Sequence, residues 1–236
     1  MIDSTWARSG RGFAWAYGVL TIVAGVLVTV VSVGIPPTEP DLAKHYAYIR
    51  QIWPELYISF LLFIAAMTCL FPIGLVLREF FGRSVRSELL YASFFAAAIL
   101  GVLWMLAQAG SAQVVARDSA GLSPQDLNVL GTSSGIWSGV INWLERGFVL
   151  FASLGTYWTG RIALQQRLLP RGLGWVSIAL AVLYWLGLVN LVLFDLGVSF
   201  SNELGSPLVA LGAVVALVWA AWLGWELGRR DGLGRG

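Results

Sequence analysis

Apolar residues along this chain come in long runs rather than in alternation. Positions 13–33, 56–77, 89–109, 147–166, 173–198 and 207–225 are predominantly apolar, and each is close to the roughly 20 residues that a helix needs to cross about 30 Å of hydrocarbon. In lipid every backbone N–H and C=O must be satisfied within its own segment, so the runs predict helices. The expected fold is all-α: one polytopic membrane domain, a bundle of six transmembrane helices with short amphipathic helices on its outer surface.

Polar stretches divide the runs and predict their ends. The first run is longer than a signal-peptide core and is followed by no small-x-small cleavage pattern, so it reads as a retained helix stopped by Pro36 and Pro37. The outer loop 34–55 is the most polar segment, with Glu39, Asp41, Lys44, His45, Arg50 and Glu55 among Tyr46, Tyr48 and Trp53. Asp41 is the expected N-cap of a short helix lying at headgroup depth. Pro72, inside the second run, predicts a bend there. A second outer loop, 110–146, contains Ser123-Pro124-Gln125-Asp126, a helix start with proline at the first position. The apolar run 135–164 would be about 45 Å long as one helix, so a break is expected at Glu145-Arg146-Gly147, with Trp137 to Leu144 at the interface. Pro170 ends the fourth span, and 199–206 is the third outer loop.

Charge sets an orientation. Arg8, Arg11, Arg78, Arg83, Arg86, Arg161, Arg167, Arg171, Arg229, Arg230 and Arg235 fall on one side of the six-span arrangement; Lys44, Arg50 and Arg117 fall on the other, and Arg146 is at the boundary. The excess of basic residues marks the cytoplasmic side, so both termini are expected inside a bacterial cytoplasmic (inner) membrane.

Composition agrees with this reading. The chain is 58% hydrophobic and 12% charged, far below the roughly 25% charge of a water-soluble domain. A net charge of +2 without a basic stripe leaves no surface for nucleic acid. The single cysteine, Cys69, allows neither a disulfide framework nor a cysteine metal cluster. His45 is the only histidine; with Glu39 and Asp41 it falls short of a zinc ligand set, and no second histidine exists for bis-histidine haem. No cofactor or metal is expected. Ser153 matches half of a Gly-x-Ser-x-Gly elbow, with Phe151 where the first glycine belongs.

Ionisable and polar groups near lipid are costly, which makes them candidates for function. Glu145 and Arg146 at the head of the fourth span and Asn190 and Asp195 near the end of the fifth fall at similar depth. Two arrangements are open: Arg146 pairs with Asp195 or Glu145 and ties the hairpin together, or the four form the polar floor of an outward-facing cleft, with His45 and Glu55 from the first outer loop. Trp104, Trp185 and Tyr184 lie deeper and could line an apolar pocket. Trp6, Trp53, Trp137, Trp143 and Trp225 fall at expected boundaries as an interfacial belt. Small residues, including Gly18, Gly25, Gly74, Gly101, Gly187 and Gly212, suit close helix contact.

The turn Leu168-Leu169-Pro170-Arg171-Gly172-Leu173-Gly174, followed by an apolar helix, resembles that of the bacterial six-helix membrane proteins of unknown function whose fourth and fifth helices are joined by Leu-Pro-Arg/Lys-x-Leu-Gly. The resemblance implies six helices and inside termini, and no reaction or cofactor. The expectation for function is a non-enzymatic membrane protein that holds an apolar or lipid-like molecule, or a partner membrane subunit, in the cleft. The alternatives are a small-solute permease, or an intramembrane enzyme acting on lipid with His45, Glu55 or Asp195 as acid or base.

Overall fold

The computed structural model describes residues 4–32, 42–198 and 200–233. Six helices follow one another: α1 (Ser4–Ser32), α2 (Leu42–Phe81), α3 (Val85–Asp118), α4 (Pro124–Gln166), α5 (Arg171–Asp195) and α6 (Phe200–Leu233). Among the described residues there is no strand. Segments of α1, α2, α3, α5 and α6 are long and apolar enough to cross a bilayer, and the chain is a multi-pass helical membrane protein. α4 is less apolar because Asp126, Glu145, Arg146 and Arg161 interrupt it.

The helices form a ring in chain order. Each packs on its sequence neighbours, α1 closes the ring against α6, and α2 meets α4 across it. One end of the ring carries the α2–α3 and α4–α5 turns with their arginines and is called here the basic end. At the first turn Gly82 adopts φ +76° and Ser84 caps α3 in a reciprocal capping box with Ser87. At the second, Arg167 takes the left-handed conformation, φ +56°, and Pro170 immediately precedes α5. Gln166 Nε2 donates to the Phe81 carbonyl at 3.2 Å, tying one turn to the other, and Arg86 bonds Gln165. At the opposite end Ser123 caps α4, its hydroxyl accepting from the Asp126 amide at 3.2 Å with Pro124 in the first turn, as the sequence pattern predicts.

Three expected boundaries differ. The polar stretch that was expected as a separate surface helix is, from Leu42, the first third of α2, and Pro54 and Pro72 both lie within that helix. Each proline removes one backbone bond, but packing against α1 and α3 supports the helix on both sides. α4 runs unbroken through Glu145-Arg146-Gly147. A Cβ on Gly147 would stand 3.0 Å from Leu100 Cδ1, so the segment is held by packing on α3 instead of turning. α6 begins at Phe200, so most of the expected third outer loop is helical ahead of Pro207. The expected stop at Pro36-Pro37, the Asp41 cap and Glu39 lie outside the described residues.

The half of the ring toward the basic end is filled. Ile73 and Leu77 from α2, Leu90 and Phe94 from α3, Leu173 and Leu180 from α5, and Trp219 and Leu223 from α6 are all fully buried. Phe94 and Trp219 stack across the ring, centroids 6.0 Å apart. Trp219 Nε1 donates to Ser177 Oγ at 2.9 Å, which satisfies the one polar atom of that indole. α4 and α5 approach so closely that a Cβ on Gly160 would lie 2.6 Å from the Gly174 carbonyl oxygen.

Because that neighbour is backbone and cannot step aside, Gly160→Val should separate α4 from α5 and cost about 1–3 kcal/mol of stability. A lowered unfolding midpoint in detergent, compared with Gly139→Val at an uncontacted position on the same helix, checks this. Equal midpoints for the two variants would refute it.

Candidate functional site

The packing that fills the basic half also leaves a space beyond it. On α6 the bulk of Trp219 is followed toward the opposite end by Ala216, Ala213 and Gly212, and on α5 Leu180 and Tyr184 are followed by Gly187. A Cβ added at Gly212 or Gly187 would meet nothing within 4 Å. The result is a cavity of about 250 Å³ to which all six helices contribute: Tyr17 and Thr21 from α1, Met67 from α2, Trp104 from α3, and Glu145 and Phe148 from α4. Leu183, Tyr184, Gly187 and Asn190 from α5 and Leu208, Gly212 and Ala216 from α6 complete it. That volume is near the lower end of small-molecule sites, about 300–1,000 Å³.

Its walls are mostly apolar, with polar groups at a few points. Trp104 stacks on Phe148 at 5.7 Å between centroids, which turns an aromatic face along one wall. The Tyr17 and Tyr184 side chains interact with each other at one wall. Against this background four buried atoms find no hydrogen-bond partner among the described residues: Thr21 Oγ1, Trp104 Nε1, Asn190 Oδ1 and Arg146 Nε. The first three belong to cavity-lining residues, and Arg146 follows the lining residue Glu145 directly. Buried polar atoms are paired in the great majority of cases, because each unpaired one costs free energy of desolvation. Three or four at one cavity therefore define a place where a bound polar group would be stabilised.

Arg146 and Asp195 form an ion pair between α4 and α5. The arginine side chain is 8% exposed and the aspartate 46%, and the Arg146 guanidinium also lies 5.2 Å from the Trp143 ring centroid, one turn back on α4. Of the residues expected at the cleft, Arg146 and Asp195 pair with each other and only Glu145 and Asn190 line the cavity. His45 and Glu55 are elsewhere: His45 is in the first turns of α2 against Tyr46, and Glu55 is exposed, about 18 Å along the helix from Met67 at 1.5 Å per residue. Of the deep aromatics, Trp104 and Tyr184 line the cavity, whereas Trp185 points outward, 44% exposed. Gly187 and Gly212, expected as contact points, line open space; Gly74 and Gly101 do make close contacts, with Phe94 and Met67. Tyr17 and Thr21 carried no signal in the sequence beyond membership of an apolar run.

Among the described residues no three His, Cys, Asp or Glu side chains converge to hold a metal. What this set offers is a donor at Trp104, acceptors at Asn190 and Glu145, and a mostly apolar, partly aromatic lining, with the Arg146 guanidinium beside it. The fold and site define a multi-pass helical membrane protein with a cavity between its helices. No family model, curated protein or solved structure matches the chain.

Asp195→Asn should leave the buried Arg146 charge without its counter-charge and destabilise the protein by about 1–3 kcal/mol. Adding Arg146→Met to that variant should recover part of the loss. Thermal unfolding of the two single variants and the double variant in detergent checks this, and additive losses would show that the pair is not coupled.

Proposed function

We propose that this protein binds a small lipophilic molecule with a polar head in the cavity between its helices. The observation that carries the reading is the set of unpartnered buried atoms, Thr21 Oγ1, Trp104 Nε1 and Asn190 Oδ1, on residues lining an otherwise apolar space. A suitable ligand carries an acceptor for the Trp104 indole N–H and a donor for Asn190 or the Glu145 carboxylate. Its apolar body lies along Phe148, Leu183 and Leu208. Hydrogen bonds made there replace unmet ones, so they favour the bound state more than the same bonds made in water.

The reading includes a placement in the membrane. The chain crosses a bacterial cytoplasmic membrane six times, α4 supplying the sixth crossing, with both termini and the basic end inside. Glu145, Asn190 and Leu208 then lie in the outer half, and the cavity faces outward. By its Leu-Pro-Arg-x-Leu-Gly turn the chain is grouped with the six-helix proteins it resembles.

Two experiments test this. Cys69 is buried, so an introduced cysteine is the reactive one. Arg117→Cys should react with an impermeant maleimide on intact cells and Arg83→Cys and Arg171→Cys should not; labelling of the latter pair from outside would overturn the orientation. For the cavity, a diazirine-bearing octanol photoactivated in proteoliposomes should attach to Glu145 or Tyr184. Gly212→Leu, whose Cβ meets nothing within 4 Å and whose side chain would enter the cavity, should abolish that attachment while leaving the unfolding midpoint equal or higher. Undiminished labelling at those residues in Gly212→Leu would refute the binding role.

A further inference from the structure

At the basic end, α1 and α6 meet in a second, separate arrangement. Arg11 and Trp15 are one turn apart on α1, and Gly228 and Gly224 are one turn apart on α6. A Cβ on Gly228 would lie 2.9 Å from Arg11 Cδ and 3.1 Å from its Nε; one on Gly224 would lie 2.9 Å from Trp15 Cδ1 and Nε1. The two glycines therefore let the arginine stem and the indole lie flat on the backbone of α6, which fixes where both side chains end. Trp225 and Arg229 flank them, and the four side chains with Gly228 enclose a groove of about 250 Å³.

The groove is positively charged and faces outward from the bundle. Trp225 is 61% exposed, and the Arg229 side chain is 67% exposed, with Glu226 at 3.8 Å as its acidic neighbour. Among the described side chains, two guanidinium groups beside one mostly buried carboxylate leave an excess of donors and charge. Two indoles at the same level are the usual occupants of the boundary between headgroups and acyl chains.

Above the groove the surface changes character. Val19, Ile22 and Val26 continue the Arg11–Trp15 stripe at helical spacing, and all three are exposed. Val218, Val214 and Leu211 continue the stripe of Trp225 on α6, also exposed. From Trp15 to Val26 this apolar track runs about 16 Å at 1.5 Å per residue, comparable to an extended acyl chain. Charge at the foot of a long apolar track is the outline of a phospholipid.

We propose that this groove is a site for an anionic glycerophospholipid, its headgroup phosphate held by Arg11 and Arg229 and its glycerol region against Trp15 and Trp225. Guanidinium groups suit the phosphate because they present planar paired donors and are weakly hydrated. A zwitterionic lipid would bring its own cation next to the two arginines. The site does not depend on the central cavity or its ligand.

The full-length protein, purified in detergent, is titrated with phosphatidylglycerol and in parallel with phosphatidylcholine, and bound lipid is counted by native mass spectrometry with the unfolding midpoint as a second readout. Wild type should retain phosphatidylglycerol in preference and gain stability from it. In the double variant Arg11→Gln/Arg229→Gln the apparent affinity should fall by roughly 30-fold, each basic group contributing about fivefold. Arg161→Gln, at another exposed arginine of the same end, should behave as wild type. Arg11→Lys/Arg229→Lys, which conserves charge, should keep much of the binding and show that loss in the Gln variant is not misfolding. Equal retention of the two lipids by wild type, or equal phosphatidylglycerol binding by wild type and the Gln variant, overturns the proposal. A stabilisation reproduced by inorganic phosphate alone, with nothing added by lipid, overturns the lipid assignment.

Discussion

One contact across the middle of the ring governs the rest of the structure. Phe94 of α3 and Trp219 of α6 belong to helices that do not pack on each other along their backbones, yet their rings stack at 6.0 Å. Helices arranged as a six-membered ring enclose more space than their backbones fill, and only large side chains pointing inward can occupy it. Trp219, the largest fully buried side chain, does this at one level. Its indole N–H would be an unmet donor there without the Ser177 hydroxyl. The same layer is sealed outside the ring's axis by backbone contact, where Gly160 meets Gly174. Beyond it the inward positions of α5 and α6 become small, and nothing takes the place of the indole. The cavity is thus a direct consequence of one tryptophan being followed by two alanines and a glycine on one helix face.

Polar groups can occupy that cavity because lipid offers no better alternative. In water an unpaired Trp104 or Asn190 would be solvated at little cost, and its presence would carry no meaning. In a helical bundle within a bilayer such groups face inward, and whatever meets them there is held more firmly than it would be in solvent. The Arg146–Asp195 pair sits beside this set and has a different task. It joins α4 to the last residue of α5, where the latter helix ends and the former continues toward Pro124. One polar cluster therefore combines a tie between helices with part of a cavity wall, and only the side-chain directions separate the two.

Much of the fold could be read from the chain before its coordinates. The apolar runs, the arginine-bearing turn before Pro170 and the Ser123 cap are local features, written in consecutive residues, and the helices follow them. The continuity of α2, α4 and α6 was less visible. A polar stretch such as 42–55 looks like a loop when the run after it is taken to start at the membrane boundary, but nothing prevents a helix from continuing into water when its neighbours support it. The same holds at Glu145-Arg146-Gly147, where polarity changes but the backbone direction does not. Of the site, Glu145, Arg146, Asn190 and Asp195 were legible because each is polar in an apolar setting. Thr21, Tyr17, Gly212 and Ala216 were not, since recognising them requires knowing which face of each helix looks inward, and that depends on contacts far apart in sequence.

The order of the ring bears on how the protein is built. Every neighbour relation but the closure and the α2–α4 crossing is between consecutive helices, so hairpins emerging from synthesis can settle against what is already in place. The closing contact is different: on α1, Gly18 lies against Ala220 of α6, and Gly10 is packed between Val76 of α2 and Leu227 of α6. Because α6 is the last helix to leave synthesis, the ring can close onto α1 only after the other five are present. Until α6 is in place, Phe94 has no aromatic partner across the axis, and the other five helices form an open arc.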